Sequence, residues 1–392
     1  MSNFCIKIIK MKNKILTKNN RMKILQLVLL IGIAHAYNNI RNRHRLTKEA
    51  LLHPSMAPWQ RLLNFGNDSS FLEILGFSKA SFRYLSELIY TVDELENKKS
   101  RGRPHTLSPC DRLGLTIMFL SSTMKTKHLC LIFGAVPAVV DRAIENTVPL
   151  LISILENHEA SKIQFPTEDR LEYLASLVEM REPSVKDVAL FADGLSIPVM
   201  CSDDEESQAA DYNGYYHDTH CNNVFLFGPD GKIYSASINY PGSWHDSQVC
   251  QLMIVIVLLL IGLYKVCVDQ GFPRSGELFD KFVGPISRRS LRKLSPIVKD
   301  LLIERSNIYV SLRQSSEWGM RSLQGSFSRL KSRLSSNKPW RHSVILCIVL
   351  LHNFRTEYVG LNQIATVFNP HYEQSINIYG YDRIARYYNQ VD

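Results

Sequence analysis

Residues 221–247 read CNNVFLFGPDGKIYSASINYPGSWHDS. The apolar and β-branched runs on either side of Asp230-Gly231 read as the two strands of a hairpin, because Asp-Gly supplies a tight hairpin turn. The second run feeds Pro241-Gly-Ser-Trp-His-Asp246-Ser, a turn signal that carries an indole, an imidazole and a carboxylate. An acid at the end of a strand needs a reason, since a buried carboxylate is costly unless it is paired or bound to a metal.

Two further runs have the same form. DVALFADGLSIPV (187–199) carries Asp193, and YKVCVDQGFP (264–273) carries Asp269. Asp193-Gly194 alone would read first as a turn. Three acids at strand ends in one domain point instead to a divalent metal site, because Mg²⁺ takes oxygen ligands and needs few carboxylates. Two such ions activate a water and stabilise the leaving oxygen of a phosphodiester. Mg²⁺ and Mn²⁺ both suit this donor set. A fourth acid, Glu317, lies in RQSSEWGMRSLQGSFSRLKSRL (313–334). At helical spacing Glu317, Arg321, Gln324 and Ser328 share one face, and Met320, Leu323, Phe327 and Leu330 share another. Such a helix can bury one side and aim Glu317 at the strand ends. The alternative is a surface ion pair between Glu317 and Arg321.

Outward from this core the chain is helical. Residues 68–160 show apolar residues at helical spacing, with Ser78 or Ser81 as a cap and Ser108 capping a helix that opens on Pro109. Three helices with a tight Phe133-Gly134 turn before the third resemble a helix-turn-helix unit. The exposed face expected for the third helix offers only Asp141, Arg142 and Glu145, so a structural three-helix bundle competes with a DNA reader. KKSRGRPHTLSP (98–109) reads as a basic linker. After 284 the chain returns to helix, and strands flanked by helices give an α/β core. The expected divisions are a basic segment 1–65, a helical region 66–160, an α/β domain 185–358 and a tail 359–392.

The 392 residues carry 46 Lys+Arg against 37 Asp+Glu, a net charge of +9. That balance favours a polyanionic partner such as nucleic acid. Eight cysteines lie scattered without a CxxC pair, which fits reduced thiols better than zinc or a disulfide framework. NNIRNRHRLTKE (38–49) reads as a basic arm or a disordered leader. MKILQLVLLIGIAHA (22–36) has the form of a secretory signal behind an untypical Lys-rich leader; the alternatives are an ordinary amphipathic segment or a misassigned start of the chain. LMIVIVLLLIGLYKVCV (252–268) is marginal for a membrane span and reads as a buried helix running through Gly262 into a buried strand.

The ordered set ADG, YYHDTHCNNVFLFGPDGKIYSASINYPGSWHDS, VDQGFP, RQSSEWGMRSLQGSFSRLK and LLHNF resembles the nuclease domain of PIF/Harbinger-type transposases over roughly 185–358. The resemblance implies a ribonuclease-H-like fold that cuts DNA with an Asp-Asp-Glu metal site. Carried over by motif, the catalytic set is Asp193, Asp246 and Glu317. Asp269 is ancillary, and all four acids are metal ligands. His245 either touches a phosphate, orients Asp246 or packs in a turn. The resemblance also implies a nuclear, homo-oligomeric protein with a separate Myb-like DNA-binding partner, no small-molecule substrate and no membrane.

Arg321, Arg329, Lys331 and Arg333, on the Glu317 helix, are candidates for DNA phosphate contacts. Trp244 is expected to pack instead of stacking on a base. His217 and His220 would lie on opposite faces of a strand, against a zinc site. Asp203-Asp204-Glu205-Glu206 reads as a solvated loop, and Leu350–Phe354 as a packing motif whose His and Asn satisfy buried polar groups. The segment 251–264 is more apolar than the resemblance leads one to expect and is a place where the core could be distorted. The reading is a transposase-like or transposase-derived, metal-dependent DNA endonuclease. The alternatives are a catalytically silent DNA- or protein-binding factor on the same fold and, from residues 22–36, a secreted or membrane-attached hydrolase.

Overall fold

A computed structural model of the protein describes residues 18–41, 46–97, 106–287, 292, 295–360 and 362–368. Met1–Ala50 and Leu51–Asp392 form two separate units. In the first, helix α1 (Lys18–Arg41) contains the apolar run 22–36, and its large apolar side chains from Met22 to Ile33 are exposed. Asn38–Arg41, expected in a basic arm, form the end of this helix; residues 42–45 lie outside the described part. Among the described residues no helix is long and apolar enough to cross a membrane.

The second unit begins with helices α2 (Pro58–Phe65), α3 (Asp68–Leu75), α4 (Lys79–Asn97), α5 (Pro109–Ser121), α6 (Thr126–Phe133) and α7 (Pro137–Leu155). The expected caps form: the Ser81 amide donates to Ser78 Oγ, and Ser108 and Asp111 make a reciprocal capping box at α5. Trp59 centres this layer, stacked on Phe133 at 5.1 Å and donating from Nε1 to Asp111 Oδ1 at 2.9 Å. On α7, Asp141, Arg142 and Glu145 are exposed. Most of the linker, residues 98–105, lies outside the described part.

There follow α8 (Glu168–Arg181), β1 (Val188–Pro198), α9 (Glu205–Asp211), β2 (Tyr212–Asn213), β3 (Asp218–Phe227), β4 (Ile233–Pro241), α10 (Asp246–Val249), α11 (Gln251–Leu260), β5 (Lys265–Cys267), β6 (Phe282–Val283), α12 (Pro296–Ser326), α13 (Lys338–Tyr358) and α14 (Gln363–Phe368). The sheet runs β4–β3–β1–β5–β6, with β2 beside the start of β3. β3 is antiparallel to both of its neighbours, β4 and β1, whereas β5 pairs parallel with β1 and β6 parallel with β5. With helices on both faces, this is the mixed α/β architecture expected of a ribonuclease-H-like core.

Period-two alternation assigns the faces. Leu190, Ala192, Val224 and Leu226 join α8, α10 and α11 in one core cluster. On the other face Phe191 stacks on Phe368 of α14, and Phe227 meets His352 of α13 edge-on. Each such fully buried side chain contributes about 1.5–3 kcal/mol. The hairpin closes as expected, with the Gly228 amide donating to Lys232 O. The 350–354 motif packs as expected: Asn353 bonds both the amide and the carbonyl of Ile233, and His352 Nε2 lies 3.1 Å from Gly231 O.

The apolar segment after Asp246 differs from expectation in two ways. It does not break up the core, since Met253, Val257 and Ile261 pack into the main cluster and β5 still pairs with β1, with one register shift between Val188 and Leu190. Nor is its helix buried, because Leu252, Val255, Leu259 and Leu260 of α11 face solvent. A helix apolar all round has one face more than a single sheet can cover.

Candidate active site

Asp193 does not end its strand. β1 continues to Pro198, pairing Asp193 with Phe225 and Gly194 with Val224 of β3. Backbone pairing on that side overrides the turn tendency of Asp-Gly. On the other side β5 stops at Cys267, opposite Phe191, so the edge of β1 is open beyond that point. Asp193 sits at this notch. Carrying the Phe191–Cys267 register two residues further sets Asp269 beside Asp193. Asp246 does not end a strand either: it opens α10, beyond the end of β4 at Pro241.

Two asparagines bring Asp246 back to the notch. Asn222 Nδ2 donates to Gly242 O at 3.2 Å and Trp244 O at 2.5 Å, and Asn213 Nδ2 donates to Gly242 O at 2.9 Å. Gly242 lies so close to the His220 and Asp211 carbonyls that a Cβ there would overlap them. The returning Asp246 carboxylate occupies the space where a side chain at position 194 would be. A Cβ at Gly271 would lie 3.0 Å from Asp269 Oδ1 and 3.8 Å from Asp246 Oδ2, so both carboxylates face one small space. Gly194 therefore serves close approach, not a turn. Gly194→Ala should displace Asp246 and lower any cleavage rate by an order of magnitude or more, since a misplacement of about 1 Å costs about 10²-fold. A plasmid-nicking rate equal to that of the unaltered chain would contradict this packing.

The electrostatics follow from this crowding. Burial pushes Asp193 up to about 6; the neighbouring charge of Asp269 adds to that, while the Gly194 amide, Arg313 and Ser316 act against it. Asp246 is also raised, first by burial and then by Asp269, with His245 opposing. Gly194 N donates to Asp193 Oδ1 at 2.9 Å and Ser316 Oγ to Asp193 Oδ2 at 3.2 Å. The Gly271 amide donates to Asp269 Oδ1. Among the described residues no group donates to the Asp246 carboxylate, and no cation pairs with Asp193, Asp246 or Asp269.

Glu317 is placed differently. Ser316 reaches Asp193 from α12, but Glu317 is held by Arg313 one turn earlier, Arg313 Nη2 to Glu317 Oε1 at 2.6 Å. The expected partner Arg321 is exposed and makes no ion pair among the described residues. Arg313 and Ser316 are thus site residues that the sequence reading passed over. Their signal was present, since both stand within one turn of Glu317 in RQSSEWG.

The candidate phosphate contacts divide. α12 ends at Ser326, so Arg329, Lys331 and Arg333 are not on the Glu317 helix. Arg329 donates to Phe119 O at 2.9 Å and Met124 O at 2.8 Å and lies over the Phe119 ring, which ties the helical layer to the core and removes it from the phosphate set. Arg333 makes a two-pronged bond to Asp218 at 3.0 and 2.6 Å, which likewise takes it out of the free set. Lys331 and Arg321 are exposed and without an ion pair among the described residues. His245 is exposed, and its amide donates to Gln248 Oε1. His217 precedes β3 at positive φ, and His220 stacks on Tyr216. Asp204 caps α9, on the exposed acidic stretch.

Residues 192–353 match the family model of the DDE superfamily endonucleases. The matched span opens one residue before Asp193 and closes at Asn353 in α13, so the DDE endonuclease domain contains the whole notch, Asp246, Asp269 and Glu317. No curated protein and no solved structure matches the chain.

The donor set of this DDE domain fits a hard divalent cation. It is all carboxylate, and Asp246 is left without a protein donor in a partly buried space. Among the described residues no three His, Cys, Asp or Glu side chains yet converge as a metal cage. Glu317, drawn to Arg313, is the acid that stands apart.

Proposed function

We propose that the protein is a transposase-like or transposase-derived DNA endonuclease of the Harbinger type, dependent on Mg²⁺ or Mn²⁺. The observation that carries this reading is that Asp193, Asp246 and Asp269 are neighbours along the open edge of β1, where Gly194 and Gly271 leave room for the Asp246 and Asp269 carboxylates. Asp193, Asp246 and Asp269 would hold the cation, with Glu317 as a further ligand once it leaves Arg313. When bound, the cation supplies Lewis-acid charge at the scissile phosphate and makes water a stronger acid.

The chain's own groups do the rest. Ser316 and the Gly194 amide fix the orientation of the Asp193 carboxylate. Asp193 must be ionised to bind a cation, so binding weakens below about pH 6, where its proton returns. Arg321 and Lys331, both exposed, would meet DNA phosphates in this reading, a contact that weakens with salt. The reading includes a nuclear location, self-association and a Myb-like partner, all carried by the resemblance. A tagged chain seen outside the nucleus would remove the first of these.

A second reading, a catalytically silent binding factor, is favoured by the Arg313–Glu317 pair, which keeps one acid away from the notch. Supercoiled plasmid incubated with the full chain and Mg²⁺ or Mn²⁺, beside an Asp246→Ala variant and an EDTA control, separates the two. Nicking by the unaltered chain alone, and only with metal, is the expected result. DNA binding by both chains without cutting by either would favour the silent factor.

A further inference from the structure

The turn between β2 and β3 and the loop that follows β4 both leave large aromatic rings in water. Tyr215 is 85% exposed, Tyr216 51% and Trp244 39%. One side chain joins the turn and the loop. Asn213 Oδ1 accepts from the Tyr215 and Tyr216 amides at 3.0 and 3.4 Å, while its Nδ2 holds Gly242 of the loop that carries Trp244 and Asp246. Asn222 fixes the Trp244 carbonyl from the neighbouring strand. Tyr216 lies flat on His220, with centroids 4.6 Å apart, and Trp244 leans on Tyr240 at 5.5 Å. Tyr216 and Trp244 are therefore each supported by a second ring, and Tyr215 meets Tyr216 edge-on at 5.0 Å, while much of the surface of all three stays open. The expectation that Trp244 simply packs accounts for only part of its surface.

One residue, His245, separates Trp244 from Asp246. A strand whose phosphate sits at the aspartates has its neighbouring bases within reach of Trp244, and Asn213 ties the loop of Trp244 to the Tyr215–Tyr216 turn. Bases inside a duplex are already stacked on each other, so an open ring face beside the backbone is matched only by an unpaired or flipped base. Stacking of this kind is tolerant of sequence and large in effect. We infer that Tyr215, Tyr216 and Trp244 form a stacking platform for unpaired bases of the DNA strand whose phosphodiester lies at Asp193, Asp246 and Asp269, so that the protein engages locally opened DNA.

This inference rests on the nuclease reading for its neighbour, but its test does not need cutting. The full chain in EDTA is titrated into a labelled single-stranded oligonucleotide containing 2-aminopurine, and into a duplex of the same length. Expected are a preference for the single strand, quenching of 2-aminopurine on binding, and a loss of single-strand affinity of about tenfold for each of Tyr216→Ala and Trp244→Ala. Tyr216→Phe and Trp244→Phe should retain both affinity and quenching. Duplex affinity, set by phosphates, should change less than about twofold.

Unchanged single-strand affinity in the alanine variants, an equal loss for duplex, or no binding to either DNA by the unaltered chain would each overturn the platform. A matching melting temperature for the variants excludes unfolding as the cause of a loss. The two readings fail separately. Intact plasmid in the presence of metal, together with ring-dependent binding of single strands, removes the nuclease and keeps the platform. Cutting with ring-independent binding does the reverse.

Discussion

Asp193→Asn is expected to abolish plasmid nicking while raising the melting temperature of the metal-free protein. The loss of activity follows from the position of Asp193 at the notch. Removing one charged donor from a metal-binding set should cost on the order of 10³-fold or more. The gain in stability follows from burial. In the folded chain Asp193 titrates near 6, above its ordinary value of 3.8. The folded state therefore holds this proton more tightly than the unfolded chain does. Its contribution favours folding below about pH 4 and is lost as pH rises through about 6. At neutral pH the ionised Asp193 opposes folding by on the order of 2 kcal/mol. Asparagine keeps the shape without the charge, so the variant should melt a few degrees higher in EDTA. The gain should be largest near pH 7 and smaller near pH 5. Mn²⁺ should then raise the melting temperature of the unaltered chain and leave the variant nearly unmoved, because a ligand stabilises only the state that binds it. A variant that melts lower than the unaltered chain at neutral pH in EDTA would show that the carboxylate is not held at a cost.

The second large effect is expected at a residue far from any phosphate. Arg341 is 1% exposed, pairs with Asp211 at 3.0 Å, and donates from Nε to Asn239 Oδ1 at 2.5 Å. Arg341→Ala leaves the buried Asp211 carboxylate without its cation, a loss of about 3–5 kcal/mol. The damage should reach the site, because the Asp211 carbonyl abuts Gly242 in the loop that returns Asp246 to the notch. Urea unfolding should show a lower midpoint with an unchanged slope. Arg341→Met combined with Asp211→Asn should recover most of the loss, since both charges then leave together. A single variant within about 1 kcal/mol of the unaltered chain would mean that the pair does little to hold α13 against the α9–β2 segment.

The sequence determined what is local. Apolar and β-branched runs bounded by turn signals named β1, β3 and β4, because such side chains favour extended backbone whatever lies beyond them. Asp230-Gly231 named the hairpin, and Ser78 and Ser108 named two helix starts, because a turn or a cap is settled within four residues. Leu323, Phe327 and Leu330 were legible as a core face for the same reason, and all three are fully buried. The chemical type of the site was legible too, as a set of acids separated by apolar runs.

Tertiary structure decided how those acids meet. No local signal says that β5 stops opposite Phe191, yet that stop opens the edge where Asp193 and Asp269 stand together. Asp246 reaches them through Asn213 and Asn222, whose hydrogen bonds cross from neighbouring strands. Glu317 had a cation one turn away on either side, Arg313 and Arg321. Only the packing of α12 against β1 chose the first. Arg329 looked like any basic residue near a nucleic-acid site, but its partners, the Phe119 and Met124 carbonyls, lie some two hundred residues earlier in the chain. A charge with a distant backbone partner reads the same in sequence as a charge with none, because hydrogen bonds to carbonyls leave no mark on the residues that accept them.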